Sequence, residues 1–118
     1  MAEPMPIPDE EIISAFHATW DRFPGLARLI RSDHVVLAAN PFAEAQGFTE
    51  GACCAKVGDP KIHRMCGLST MMKEHRAVTD SVIPGRVRGW VPVDGRDDLC
   101  VHFAVFVPEE GQRSIFEG

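Results

Sequence analysis

The stretch RAVTDSVIPGRVRGWVPVDGRDDLCVHFAVFV, residues 76–107, decides the fold. It holds three runs of strand-forming residues at 76–83, 86–93 and 99–107. Pro84-Gly85 separates the first pair, and Asp94-Gly95-Arg96-Asp97-Asp98 separates the second. Both separators carry turn chemistry. Consecutive strands joined by tight turns must run antiparallel. Upstream, two apolar runs at 26–30 and 35–39 flank the polar cluster Arg31-Ser32-Asp33-His34, which reads as a β-hairpin. Together these segments call for a five-stranded antiparallel sheet.

The remaining periodic segments are helical. Ile12, Ile13, Phe16, Trp20 and Phe23 recur at helical spacing after Pro8-Asp9-Glu10-Glu11, so a helix is predicted over 9–22, ending at Pro24-Gly25. Asn40 can cap a short helix that starts at Pro41, carries Phe42 and Ala45 on one side, and stops at Gly47. Residues 51–60 are loop-like, and Leu68, Met71, Met72 and His75 predict a further helix over 67–75. Helix, two strands, short helices and three strands make an α+β domain, with short helices on one face of the sheet and a flanking N-terminal helix. The expected organisation is one domain over 9–108, between a disordered tail at 1–8 and a flexible tail at 109–118.

A chain of 118 residues with 45% apolar and 25% charged residues is of ordinary globular composition. No apolar run approaches the roughly 20 residues that cross a bilayer. The proline-rich start has neither the basic residues nor the apolar stretch of a signal peptide, so the expected location is cytoplasmic. A net charge of −5 disfavours nucleic acid and anionic membranes as partners. Arg22, Arg28 and Arg31 are scattered among acids rather than gathered in a stripe, which also argues against a nucleic-acid role. The cysteines at 53, 54, 66 and 100 read as thiols or metal ligands, since the core needs no staples and adjacent Cys53 and Cys54 pair only under strain.

Particular segments tie this order to a known family. Residues 29–48, LIRSDHVVLAANPFAEAQGF, resemble the opening of a PAS domain, in which a hairpin leads into an asparagine, a short helix and a Gly-aromatic pair. Residues 88–95, RGWVPVDG, resemble its penultimate strand and turn. The resemblance spans about residues 11–108. It implies a small-molecule or cofactor site between sheet and helices, and signalling through dimer contacts or flanking helices. A narrower resemblance is to PAS domains with a cysteine-rich central loop, carrying Gly-x-x-Cys and then Cys-x-x-Cys. Gly51-Ala52-Cys53-Cys54 matches the first part, and His63-Arg64-Met65-Cys66 stands at the second with histidine in place of the first cysteine.

Cys54, His63 and Cys66 are therefore the candidate metal ligands, chemically suited to a transition metal or an iron–sulfur cluster. Cys53, His75, Cys100 or His102 could supply a fourth ligand. The competing readings are small core cysteines beside a loop histidine, or redox thiols. His75 stands where haem-binding PAS domains place their ligand, although a helix-terminal histidine more commonly faces solvent. On the last strand, alternation puts Cys100, His102, Ala104 and Phe106 on one face and Val101, Phe103, Val105 and Val107 on the other. The aliphatic-aromatic face is expected to meet the helices, leaving Cys100 and His102 outside the pocket. Met71, Met72 and Trp90 read as packing residues.

No nucleophile elbow or phosphate-cradling loop is present, nor the Asn-Cys-Arg-Phe-like motif of flavin photosensors, so the chain is not expected to be an enzyme. The expected function is a sensory, ligand-binding PAS domain that responds to a metal, a redox state or a small molecule. It would act as a homodimer, with Ile13, Phe16 and Trp20 contributing, or through a signalling partner. The alternative is a structural dimerisation module without a ligand.

Overall fold

The computed structural model describes residues 7–58 and 66–107. Helix α1 spans Asp9–Trp20. Its first turn carries Asp9, Glu10 and Glu11, where the helix dipole favours negative charge. The Pro8 carbonyl accepts from the Glu11 and Ile12 amides at 3.1 and 3.3 Å. The helix stops before residue 22 because the Phe23 amide turns back onto the Trp20 carbonyl at 3.0 Å.

Strands β1 (Leu26–Arg31) and β2 (Val36–Ala39) form the expected hairpin. Helix α2 covers Pro41–Ala45, one 3-10 turn covers Cys54–Lys56, and helix α3 covers Leu68–Glu74. Strands β3 (Val78–Asp80), β4 (Arg86–Val93) and β5 (Arg96–Phe106) complete an antiparallel sheet of order β2-β1-β5-β4-β3. The first and last strands thus pair at the centre, from Leu26↔Ala104 to Arg31↔Leu99. This is the PAS-like α+β architecture that the sequence calls for.

Two strands differ from expectation at their ends. β3 is shorter because Asp80 turns its carboxylate to the Val82 amide at 3.4 Å and to Arg88, drawing the chain out of the ladder. β5 starts earlier because Asp94-Gly95 alone makes the turn, with Gly95 at φ 84° and Val93 paired to Arg96. Arg96 then ties this hairpin to the start of α1. It donates to the Ile7 carbonyl at 2.8 Å, to Asp9, and to both oxygens of Asp98. Hydrogen bonding to Arg96 holds the Asp98 carboxyl below its ordinary range.

The expected assignment of the β5 faces is overturned. Cys100 and Ala104 lie on the face covered by α2, α3 and the 3-10 turn, packed with Trp90, Leu68, Met71, Phe48 and Cys54. Val101 lies on the opposite face, which α1 covers with Phe16, Ile12, Ile13 and Trp20. Both faces of the sheet are buried, so apolarity does not distinguish them. The small side chains sit where bulky Trp90 and Met71 fill the space.

On the α1 face, Phe103 stacks against Trp20 with centroids 6.0 Å apart and planes at 21°. Its ring crosses its strand partner Gly89, where a Cβ would lie 2.2 Å from ring carbons. The apolar face of α1 that suggested a subunit contact is thus turned onto its own sheet, and homodimerisation draws no support from it.

Asn40 joins these parts. It is fully buried. Its Nδ2 donates to the carbonyls of Trp20 (3.2 Å) and Gly25 (2.9 Å), and its Oδ1 accepts from the amides of Ala27 (3.2 Å) and Ala43 (3.0 Å). Asn40→Ala is expected to cost roughly 2–4 kcal/mol in urea unfolding, through the lost cap and the orphaned buried groups. Asn40→Asp is expected to cost more at neutral pH, because an anionic oxygen would then face two carbonyls, and to recover on acidification. Trp20→Glu is expected to cost roughly 2–4 kcal/mol through lost packing on Phe103. Its unfolding midpoint should not depend on protein concentration; a concentration-dependent midpoint would restore α1 as a subunit contact.

Candidate functional site

Three cross-strand rows form the helix-covered face of the sheet. Register aligns Arg28, His102 and Trp90 across β1, β5 and β4. Ile30, Cys100 and Pro92 make the row on one side, and Leu26, Ala104 and Arg88 the row on the other. Over these rows lies a cavity of about 50 Å³, lined by Ile30, His34, Cys54, Ala55, Cys66, Arg88 and His102. That volume suits a few waters or a small ion.

The chain brings Cys54 to the cavity through the β1–β2 hairpin. His34 takes a positive φ of 71°, closing the turn, and its carbonyl accepts from the Cys54 amide at 2.7 Å. Cys53 pairs with Val35 in an isolated bridge. Cys54 is therefore buried under the hairpin while Cys66 is exposed at the cavity rim. Burial pushes the Cys54 thiol up, and the Arg28 charge opposes this only in part. Burial pushes Cys100, beneath the cavity, up to about 12.

The charged groups of this face are held differently. Arg88 is 2% exposed and grips Asp80 with two bonds, Nε to Oδ1 at 3.0 Å and Nη2 to Oδ2 at 2.9 Å. This fork geometry is the strong form of an ion pair. Its guanidinium also lies over Trp90, 4.9 Å from the ring centroid. Arg28 is 3% exposed. It donates from Nε to the His102 carbonyl at 3.4 Å and from Nη1 to Cys54 Sγ at 3.7 Å, and covers the Phe48 ring at 4.2 Å. Burial lowers its pKa from the ordinary value. Among the described residues no carboxylate pairs with it.

His102 stacks on Trp90 with centroids 4.5 Å apart and planes at 10°. Its Nδ1 lies 2.8 Å from the Gly89 carbonyl. A carbonyl only accepts, so Nδ1 carries a hydrogen, and in neutral imidazole the lone pair sits on Nε2. Beneath it, Trp90 is fully buried and its Nε1–H has no acceptor among the described residues.

The structure brings Cys54 and Cys66 to one cavity; His63 lies outside the described residues. Among the described residues no group of three His, Cys, Asp or Glu side chains is set to hold a metal ion. His75, to which the haem reading attached, is the exposed left-handed cap of α3. It lines a separate open hollow with Pro92, Val93 and Asp94. His102 lies on the cavity wall, reversing the expectation that it faces away. Sequence reasoning missed Arg28 as an interior group. The available signal was its place between Leu26 and Ile30, on the same side of a strand as two core residues.

No protein-family model matches the chain, and no curated protein matches it. Among the described residues no helix is long and apolar enough to cross a membrane. A solved structure of a sensory box sensor histidine kinase from Vibrio cholerae is similar over 90% of this chain and 100% of that one, with a TM-score of 0.61 at 12% identity. That likeness bears out the PAS-like fold.

Proposed function

We propose that this chain is a sensory, ligand-binding PAS domain that alters its contacts with a partner or a second copy when the helix-side cavity is filled. The observation that carries this reading is a small cavity lined by Cys54, Cys66, His34, His102 and Arg88, with the buried Arg28 guanidinium held against its wall at Cys54. A module that only dimerised would gain nothing from a cation in its core, because burying charge is costly unless it is answered. The fold shared with the Vibrio cholerae sensory box kinase supports a sensor role, and the absence of catalytic motifs in the sequence supports a non-enzymatic one. The cytoplasm is the expected location.

Filling the cavity has a route outward. Phe48 and Cys54 contact Arg28, and Phe48 follows α2, whose Phe42 meets Phe106 with centroids 5.8 Å apart. Phe42 and Phe106 are both exposed, so a change at the cavity reaches a surface that a partner can read. Trp90 stacks on His102 of the cavity wall and Trp20 ends α1 on the opposite face, so the two indole N–H resonances report on separate faces. Screening small molecules by NMR is expected to find compounds that shift Trp90 saturably and leave Trp20 in place. If no small molecule or metal ion moves Trp90, the ligand-binding reading fails and the structural-module alternative stands.

A second reading places a transition metal or an iron–sulfur cluster at Cys54, His63 and Cys66, as the cysteine-rich PAS resemblance implies. The observation favouring it is that Cys54 and Cys66 line one cavity together with His34 and His102. Protein purified anaerobically should then carry stoichiometric metal, lost in Cys66→Ser and weakened at acid pH as protons compete for the thiolates. In metal-free protein, alkylation should reach exposed Cys66 first and Cys100 last, with Cys100 reacting appreciably only toward alkaline pH. Absence of metal together with fast alkylation of Cys54 would exclude a shared site.

A further inference from the structure

Behind the wall of the helix-side cavity, in contact with its lining residues Cys54 and His102, lies the Arg28 guanidinium, which no carboxylate among the described residues answers. Arg28 remains protonated at any pH at which a protein folds. Its neighbours are a thiol, a backbone carbonyl and the face of a phenyl ring. None of the three is a carboxylate. Arg88, one row away on the same face, shows the ordinary solution, a carboxylate bound at two points. Among the described residues Arg28 has no such partner.

An independent feature asks for the same thing. The Trp90 Nε1–H is buried without an acceptor among the described residues. Arg28 and Trp90 are the register neighbours of His102 on either side; His102 lines the cavity, and the two flank it just outside the lining. A cation without an anion and an N–H without an acceptor are both completed by one kind of group, a negatively charged oxygen. One uncompensated positive charge calls for one negative charge. About 50 Å³ of space limits the occupant to a few heavy atoms.

Resting on the ligand-binding reading, we infer that the cavity takes a small planar oxyanion of single charge, a short carboxylate or a nitrate-like ion, with Arg28 as its counter-charge. The net charge of −5 means that the bulk of the protein repels such an ion, so recognition depends on this interior charge. Arg28 then binds rather than merely packs.

The test is a titration of isotope-labelled full-length chain with sodium formate, acetate and nitrate, at constant ionic strength in a buffer of large zwitterions. Formamide and acetamide serve as neutral counterparts. At least one anion should shift the Trp90 indole signal saturably, with Trp20 unmoved and the amides inert. Arg28→Met should weaken that response by roughly tenfold or more. It should fold at least as stably as wild type without anion, since an apolar side chain replaces an unanswered charge. Should Arg28→Met fail to fold, Arg28→Lys, which keeps the charge and loses the fork, carries the comparison and is expected to bind more weakly than wild type. If Trp90 responds to neutral compounds or metal ions but to none of the anions, this inference is overturned while the ligand-binding reading stands. If nothing moves Trp90, both fall. Thiolate absorbance at neutral pH that disappears in Cys54→Ala would also overturn it, by showing that the protein answers the charge itself.

Discussion

Asn40 has two donors and an acceptor oxygen with two lone pairs, and it uses all of them on backbone groups. The groups it satisfies belong to the end of α1, the start of β1, and the start of α2. None of these could be completed by a regular ladder, because each lies where one element gives way to the next. An aspartate would lose the donors and an alanine everything. Asn40 thereby fixes where α1 leaves the sheet and where α2 begins, and so which residues of the following loop fall over the helix-side face. Phe48 and Cys54 take their places against Arg28 from that origin.

The second constraint is that this sheet has no solvent face. α1 covers one side through Phe16 and Trp20, while the short helices cover the other through Leu68, Met71 and Phe48. The α1 side is filled by direct apolar contact, down to Phe103 lying across Gly89. The helix side is not filled that way. It carries Arg28, Arg88 and His102 among small residues, and a cavity remains. Side chains that cost stability when buried are concentrated on the side that the short, loop-borne elements cover.

The architecture was legible because turn chemistry and periodicity are local. Pro84-Gly85, Asp94-Gly95 and the Asn40-Pro41 start of α2 each state their role without reference to distant residues. The β5 faces were not legible, because choosing the more apolar face assumes that the other face is wet. Cys100 and His102 were set aside on that assumption, and α1 invalidates it. Cys54 and Cys66 could be brought together from loop spacing, since the chain must return before α3. Arg28 could not be recognised from composition, where an arginine counts as surface. Only its alternation with Leu26 and Ile30 pointed inward.

Arg28 and Arg88 sit on the same sheet face at nearly the same burial, yet the fold treats them oppositely. Arg88 receives Asp80, and the short β3 strand ends where that carboxylate turns toward it. Arg28, at the sheet's centre, is met by β5 and by the segment that follows α2, which offer the His102 carbonyl, Phe48 and Cys54. An acid at any of those positions would neutralise the interior and close the question locally. A neutral apolar side chain at position 28 would do the same at lower cost, since it needs no desolvation of charge. Among the described residues the fold keeps the cation and withholds the acid, leaving the electrostatic balance to whatever enters the cavity.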